Sequence, residues 1–176
     1  MADLVKIKRG LDIPLVGEAE KTLQEAPKAE MYAVIPDDFH GVVPKILVKS
    51  GDAVKAGTPL MCDKNRPEVN FVSPVSGTVE AVNRGERRKV LEIVVKSDGK
   101  FESVEFEKLD AKKMDAQAIK ETLLQSGLFA FIKQRPYDVI ANPEVAPRDI
   151  FVTAFDSAPL APEFEFVAKG EEAALQ

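Results

Sequence analysis

Only one cysteine, Cys62, and one histidine, His40, occur in this chain, and tryptophan is missing altogether. A single thiol allows no intrachain disulfide framework, which points to a reducing compartment, and no thiolate cluster for zinc or for iron and sulfur. The lone histidine, in Asp37-Asp38-Phe39-His40-Gly41, has no second histidine or cysteine with which to share a metal, so it reads as a solvated turn residue. Long apolar runs are missing too. The longest, Leu128-Phe129-Ala130-Phe131-Ile132, falls far short of the about 20 residues that cross a bilayer. The first ten residues carry charges with no apolar core behind them, which predicts no signal peptide and, by default, the cytoplasm. Charge of one sign is not concentrated either: 24 Lys and Arg stand against 29 Asp and Glu, a net charge of −5 that argues against a general nucleic-acid footprint. No nucleophile elbow, phosphate loop or dinucleotide glycine fingerprint is present, so no catalytic residue and no metal ligand is assigned.

What is there is an ordinary globular composition, 45% hydrophobic and 30% charged over 176 residues, enough for one good core and a smaller appendage. Val5 and Ile7 alternate with polar residues as in a short strand, and Leu11 to Lys28 reads as irregular. From Met31 the chain breaks into short apolar stretches, Met31 to Ile35, Ile46 to Val48, Val69 to Val72, Thr78 to Val82 and Val90 to Val95. Gly, Pro, Asp or Asn separates each from the next, which predicts strands. Within them Val48-Lys49-Ser50-Gly51-Asp52 is echoed by Val82-Asn83-Arg84-Gly85-Glu86. A glycine there supplies positive φ to a tight turn and the acid bonds nearby backbone donors, so the echo suggests two hairpin-like halves related by a quasi-dyad, a sandwich or flattened barrel.

Past Lys100 an extended segment with Phe101, Val104 and Phe106 leads to a helix capped by Asp115 and closed by Gly127. Ala118, Ile119, Thr122 and Leu123 form its apolar stripe, expected to dock on the barrel. A second helical stretch is expected over Leu128 to Gln134, ended by Pro136, and Tyr137 to Arg148 reads as a linker or extended wrap. Ile150-Phe151-Val152-Thr153-Ala154 reads as a buried strand and Gly170 to Gln176 as a helix just beginning, so a further domain is expected beyond Gln176. The domain reading is therefore 1–30, an N-terminal strand and irregular segment; 31–100, the barrel; 101–148, a helical appendage and linker; and 149–176, the start of a next domain.

Two motifs carry most of the information: Gly51-Asp52-Ala53-Val54-Lys55-Ala56-Gly57-Thr58-Pro59-Leu60, and Ser73-Pro74-Val75-Ser76-Gly77-Thr78-Val79. Both resemble the hallmarks of biotinyl and lipoyl carrier domains, in which the hairpin between them presents a modifiable lysine. Lys64, in Asp63-Lys64, stands roughly where that lysine would be. Against modification, the stretch from Asn65 to Val72 is about two residues longer than those carriers use, and Pro67 with its charged neighbours is expected to reshape the tip.

A wider resemblance covers nearly the whole chain. Ile7-Lys8-Arg9-Gly10-Leu11-Asp12-Ile13-Pro14, Val48 to Val54, Asp63-Lys64-Asn65, Phe71 to Gly77, Val82 to Gly85, Ser126-Gly127-Leu128 with Arg135-Pro136, and Ile150 to Asp156 are similar, in that order, to the A subunit of the bacterial sodium-translocating NADH:quinone oxidoreductase. The related C subunit of the Rnf electron-transport complex shares the carrier-like fold but carries cysteine-rich iron–sulfur motifs, and none begin here. The resemblance implies an α+β, predominantly β fold: a barrel-sandwich hybrid of the biotinyl/lipoyl type, a flanking helical segment, and the start of a further α/β domain. It further implies a peripheral subunit on the cytoplasmic face of the inner membrane, in a six-subunit complex that oxidises NADH, reduces ubiquinone and exports sodium. The flavins and the iron–sulfur centre are then expected on other subunits, no cofactor and no NADH on this chain, and a role in assembly and quinone access next to the membrane-embedded B subunit. No family motif fixes quinone-contacting residues, so the cofactor-binding residues are unknown. The alternative is a carrier domain modified at Lys64, and a third is a free-standing structural domain.

One basic concentration interrupts this acidic chain: Arg84, Arg87, Arg88 and Lys89, with Lys64 and Arg66. Solvated hairpin charge is the plain reading. The sharper one makes Lys64, Arg66, Arg84, Arg87 and Arg88 a face for an acidic partner or for lipid headgroups, because guanidinium groups pair well with carboxylates and phosphates.

Overall fold

A computed structural model describes residues 15–17, 20–106, 113–153, 158 and 160–170. The chain divides into two compact units, Pro27–Ala146, and Met1–Ala26 together with Pro147–Gln176.

The larger unit is built on two antiparallel sheets. One has the order β1-β7-β6-β3, with β1 at Met31–Val34, β3 at Ala53–Val54, β6 at Gly77–Arg84 and β7 at Val90–Ser97. The other has the order β2-β4-β5, with β2 at Pro44–Ile46, β4 at Pro59–Asp63 and β5 at Arg66–Val72. Strands with polar residues on alternate positions bury one face only, so each sheet needs a second apolar surface. Leu60, Met61, Val69, Phe71, Val79, Ile93 and Val95 supply a shared core and are almost wholly enclosed. This is the barrel-sandwich hybrid expected above.

The two motifs are the seams that lock the sheets. Gly51 N–H donates to the Val79 carbonyl and Val79 N–H to the Asp52 carbonyl, each at 2.8 Å. The Gly57 and Ser73 N–H groups donate in the same reciprocal way to Ser73 and Thr58 carbonyls, again at 2.8 Å. Ser73 and Ser76 are buried, and their hydroxyls donate to the Val75 carbonyl at 2.7 Å and to Asp98 Oδ1 at 2.6 Å. Gly77 has φ +154, and a Cβ there would lie 1.9 Å from the Lys96 carbonyl oxygen, so this position of the motif admits glycine alone. The echoed pentads agree only in part. At Gly51 φ is +93 and the Asp52 carboxylate accepts from Lys49 N–H at 2.8 Å, as expected. Gly85 instead has φ −97, because its turn closes through Gly85 N–H to the Lys89 carbonyl and moves the left-handed residues to Arg87 and Arg88.

Helix α1, Ala116–Gln125, begins where the Asp115 carboxylate accepts from Ala118 N–H at 2.7 Å and ends at Gly127 with φ +77. It lies on β5, with Leu124 buried and the expected stripe residues Ala118, Ile119, Thr122 and Leu123 partly buried. The second helical stretch is shorter than expected: a 3-10 turn, Leu128–Phe131, gives way to β8, Lys133–Gln134, which pairs with β9, Val139–Ile140. The segment read as a linker is thus folded in part. Ile140 is buried, and Lys120 Nζ donates to the Pro143 carbonyl at 2.9 Å, holding residues 139–146 on the unit.

In the smaller unit, helix α2, Phe164–Val167, is a single turn that no sequence pattern announced, and Lys21 pairs with Glu163. The buried strand expected at Ile150 to Ala154 is not observed over Ile150 to Thr153, where Ile150, Phe151 and Val152 are 77%, 84% and 85% exposed; Ala154 lies outside the described residues. No strand among the described residues pairs with them, and an apolar run is buried only when a neighbour covers it. The strand expected at Val5 and Ile7 lies outside the described residues, as does all but Gly170 of the helix expected over Gly170 to Gln176.

Candidate functional site

Three places on the larger unit bear on function. The first is the hairpin tip between β4 and β5. Asp63 pairs with Arg66 across a two-residue turn made by Lys64 and Asn65, which places Lys64 at the exposed apex. The expectation that extra length would spoil this tip is corrected. Cys62 and Asp63 face Asn70 and Arg66, so Pro67, Glu68 and Val69 form a bulge in β5 that absorbs the surplus away from the apex.

The same tip is braced from below. Asp63 is only 1% exposed, and its Oδ2 accepts from both Arg66 Nε and Arg66 Nη2 at 2.9 Å, while Oδ1 accepts from Asn65 N–H at 3.1 Å and Val43 N–H at 3.4 Å. Arg66 Nη1 reaches on to the Ile140 carbonyl at 2.9 Å and to Ala141 at 3.4 Å. Lys64 N–H donates to the Val43 carbonyl at 2.7 Å. A planar guanidinium with donors on two edges fits such a brace. Arg66, read from sequence as a partner-facing residue, is therefore engaged within the fold; of this pair only the Lys64 side chain stands clear of it.

The second place is an apolar cleft of 240 Å³ lined by Val34, Ile35, Phe39, Phe71, Pro74 and Phe131, among others. Phe39 meets Phe71 edge-on at 4.5 Å between ring centroids and Phe131 at 6.4 Å. Phe131 is 71% exposed on the rim. Sequence reasoning missed this cleft because its walls come from β1, β5 and the 3-10 turn after α1, far apart in the chain. Among the described residues Asp38 is its one acidic lining residue. His40, two residues on, is exposed in a turn, and among the described residues no group of His, Cys, Asp and Glu is arranged to hold a metal.

The third place is the β6–β7 tip, where Arg84, Arg87 and Arg88 are all exposed. The structure thus divides the expected basic face between two hairpin tips on different sheets, Lys64 and Arg66 on one and the three arginines on the other. Lys89 is withdrawn from the second group by its 2.5 Å pair with Asp37.

Against this geometry, the similarity to known proteins is specific. The profile of the NqrA N-terminal barrel-sandwich hybrid domain matches residues 5–98, more than half of the chain. The chain belongs to that family. A second profile, the NqrA second alpha/beta domain, matches residues 114–176. Among curated proteins, the A subunit of the Na(+)-translocating NADH-quinone reductase of Pseudomonas aeruginosa is 39% identical over 176 residues. Its namesakes in Saccharophagus degradans and Yersinia pestis are 38% and 36% identical over 174 and 175 residues. Each alignment covers 98% of this chain but 39% of the relative, so the chain spans about two fifths of the length of the proteins it matches. The boundary between the two profiles, 98 to 114, falls where the barrel ends and before α1 begins, although α1 itself lies on β5 within the larger compact unit.

Proposed function

We propose that this chain is the N-terminal part of the A subunit of a sodium-translocating NADH–quinone reductase, in which it is peripheral, serves assembly and quinone access, and carries none of the redox cofactors. The observation that carries this reading is similarity across both NqrA domains to proteins bearing that name, at up to 39% identity over nearly the whole chain. A peripheral role is consistent with the described residues, where no helix is long and apolar enough to cross a membrane. The cleft between Phe39, Phe71 and Phe131 supports a binding role, since it offers aromatic and aliphatic walls to a flat apolar ring or to an apolar side chain of a neighbour. In this proposal the barrel over residues 31–100 and the appendage over 101–148 work together, the cytoplasmic face of the membrane-embedded B subunit is the partner, and ubiquinone is the substrate of the assembled complex. Flavins and the iron–sulfur centre reside on other subunits.

The test places Phe131→Arg in the full-length A subunit, from which the whole complex is purified. NADH oxidation with ferricyanide, which bypasses the quinone, is expected to persist while quinone reduction falls several-fold. Unchanged quinone reduction in a fully assembled complex would sink the quinone-access part. A carrier reading keeps one observation in its favour, the exposed Lys64 at a two-residue apex. It predicts a lipoyl or biotinyl adduct on Lys64 in the intact mass of the chain from a ligase-containing host, whereas the reductase reading predicts an unmodified lysine.

A further inference from the structure

The β6–β7 tip is the one described segment where two successive side-chain-bearing residues sit in the left-handed region, Arg87 at φ 52 and Arg88 at φ 62. That conformation is disfavoured for residues with a Cβ and persists where the surroundings fix it. Here they do. Gly85 N–H donates to the Lys89 carbonyl at 2.8 Å, Lys89 N–H to the Glu86 carbonyl at 3.1 Å, and Arg84 Nη1 to the Arg88 carbonyl at 3.2 Å. Lys89 Nζ then pins the tip to Asp37. Among the described residues the Arg87 and Arg88 side chains have no hydrogen-bond or ion-pair partner, although the acidic chain around them offers many carboxylates. The fold therefore fixes the backbone of this tip and leaves those two guanidinium groups unpaired.

The tip also adjoins the apolar cleft. The 3-10 turn Pro36–Asp38 joins the two, since Asp37 holds Lys89 while Asp38 and Ile35 line the cleft. An apolar centre with a charged rim is the usual anatomy of a protein interface. We propose that Arg84, Arg87 and Arg88 form a docking point for a carboxylate-rich patch on a neighbouring protein of the complex, seated beside the Phe39–Phe71–Phe131 cleft. This rests on the reductase reading above. A protein partner fits better than a lipid surface on two counts. Anionic membranes capture clusters of about four to eight basic residues, whereas this tip, with Lys89 held by Asp37, leaves three, and Glu86 stands among them on a chain of net charge −5. A lipid surface also makes no use of a fixed loop conformation, while bidentate pairing of a guanidinium with a carboxylate does.

The experiment coexpresses the full-length A subunit with the rest of the complex, and measures the salt concentration at which it is released from the immobilised assembly. R84E/R87E/R88E is expected to be lost during purification or released at a salt concentration at least about twofold lower than wild type. R84K/R87K/R88K keeps the charge without the fork and is expected to fall between. R87G/R88G relieves the backbone, so it should melt no lower than wild type and still release early, which separates lost docking from lost folding. Equal release of all variants and wild type would overturn the proposal while leaving the reductase reading intact. Failure of the wild-type protein to copurify with any other component of the complex would overturn both. Loss of binding to phosphatidylglycerol vesicles by the variants, with release from the complex unchanged, would assign the tip to lipid and overturn the proposal.

Discussion

Arg66→Ala is the substitution whose cost the structure fixes best. It removes both guanidinium bonds to a carboxylate that is 1% exposed, and with them the two bonds to the Ile140 and Ala141 carbonyls. Breaking a buried pair on one side generally costs about 3 to 5 kcal/mol, because the other charge stays buried. Two facts lower the figure here: the Arg66 side chain is 23% exposed, and Asp63 keeps the Asn65 and Val43 N–H groups on Oδ1. Loss of the two carbonyl bonds then adds up to about 1 kcal/mol. The expected sum is about 3 kcal/mol, or a melting midpoint lower by roughly 10 °C for a unit of this size. Asp63→Asn combined with Arg66→Ala should recover most of the loss, since no charge is then left buried, whereas Arg66→Lys should recover only part. Urea denaturation of the four proteins measures the stabilities, and amide exchange at Ile140 and Ala141, accelerated only where the arginine is missing, reports the brace. An Arg66→Ala protein within about 1 kcal/mol of wild type would refute the reasoning, because the carboxylate would then be satisfied without its partner.

Two further outcomes are expected. Gly127→Ala forces a Cβ to within 2.8 Å of Val72 Cγ1 at φ +77, so α1 should loosen from β5 at a cost of about 2 kcal/mol; adding Val72→Ala should relieve the clash but not the backbone strain, and chemical denaturation of both distinguishes the two. The Asp98 carboxyl is held below its ordinary value of 3.8, first by the Ser76 hydroxyl and then by Lys100 N–H. A lowered folded value means stability that is fully present above the unfolded pKa and lost as pH falls through the folded one. The acid limb of the wild-type unfolding curve should therefore be steeper below pH 3.8 than that of Asp98→Asn, as measured by urea midpoints against pH.

Local chemistry determined much of this protein. The Ser-Pro-Val-Ser-Gly seam, the Asp115 cap with its Gly127 stop, and four of the five strands expected between Met31 and Val95 are short-range signals, each needing only neighbours within a few residues, and are found where the sequence places them; the stretch expected at Ile46 to Val48 is instead a strand over Pro44–Ile46, and β3 and β4 are not among those expected. The place of Lys64 at a hairpin apex was legible too, but the tightness of that apex was not, because a bulge three residues downstream took up the excess length. The apolar cleft depends on β1, β5 and the turn after α1 meeting in space, which no local pattern encodes. Nor does the basic composition of the two tips reveal that Arg66 is consumed by Asp63 and Ile140 while Arg87 and Arg88 are presented by a left-handed turn. Most strands of the barrel, helix α1 and the family thus follow from sequence alone, through local conformational preference and ordered motifs, whereas β8, β9 and α2 do not. Which charges remain free for a partner was decided only by tertiary packing, since burial and long-range pairing determine where a charged group is satisfied.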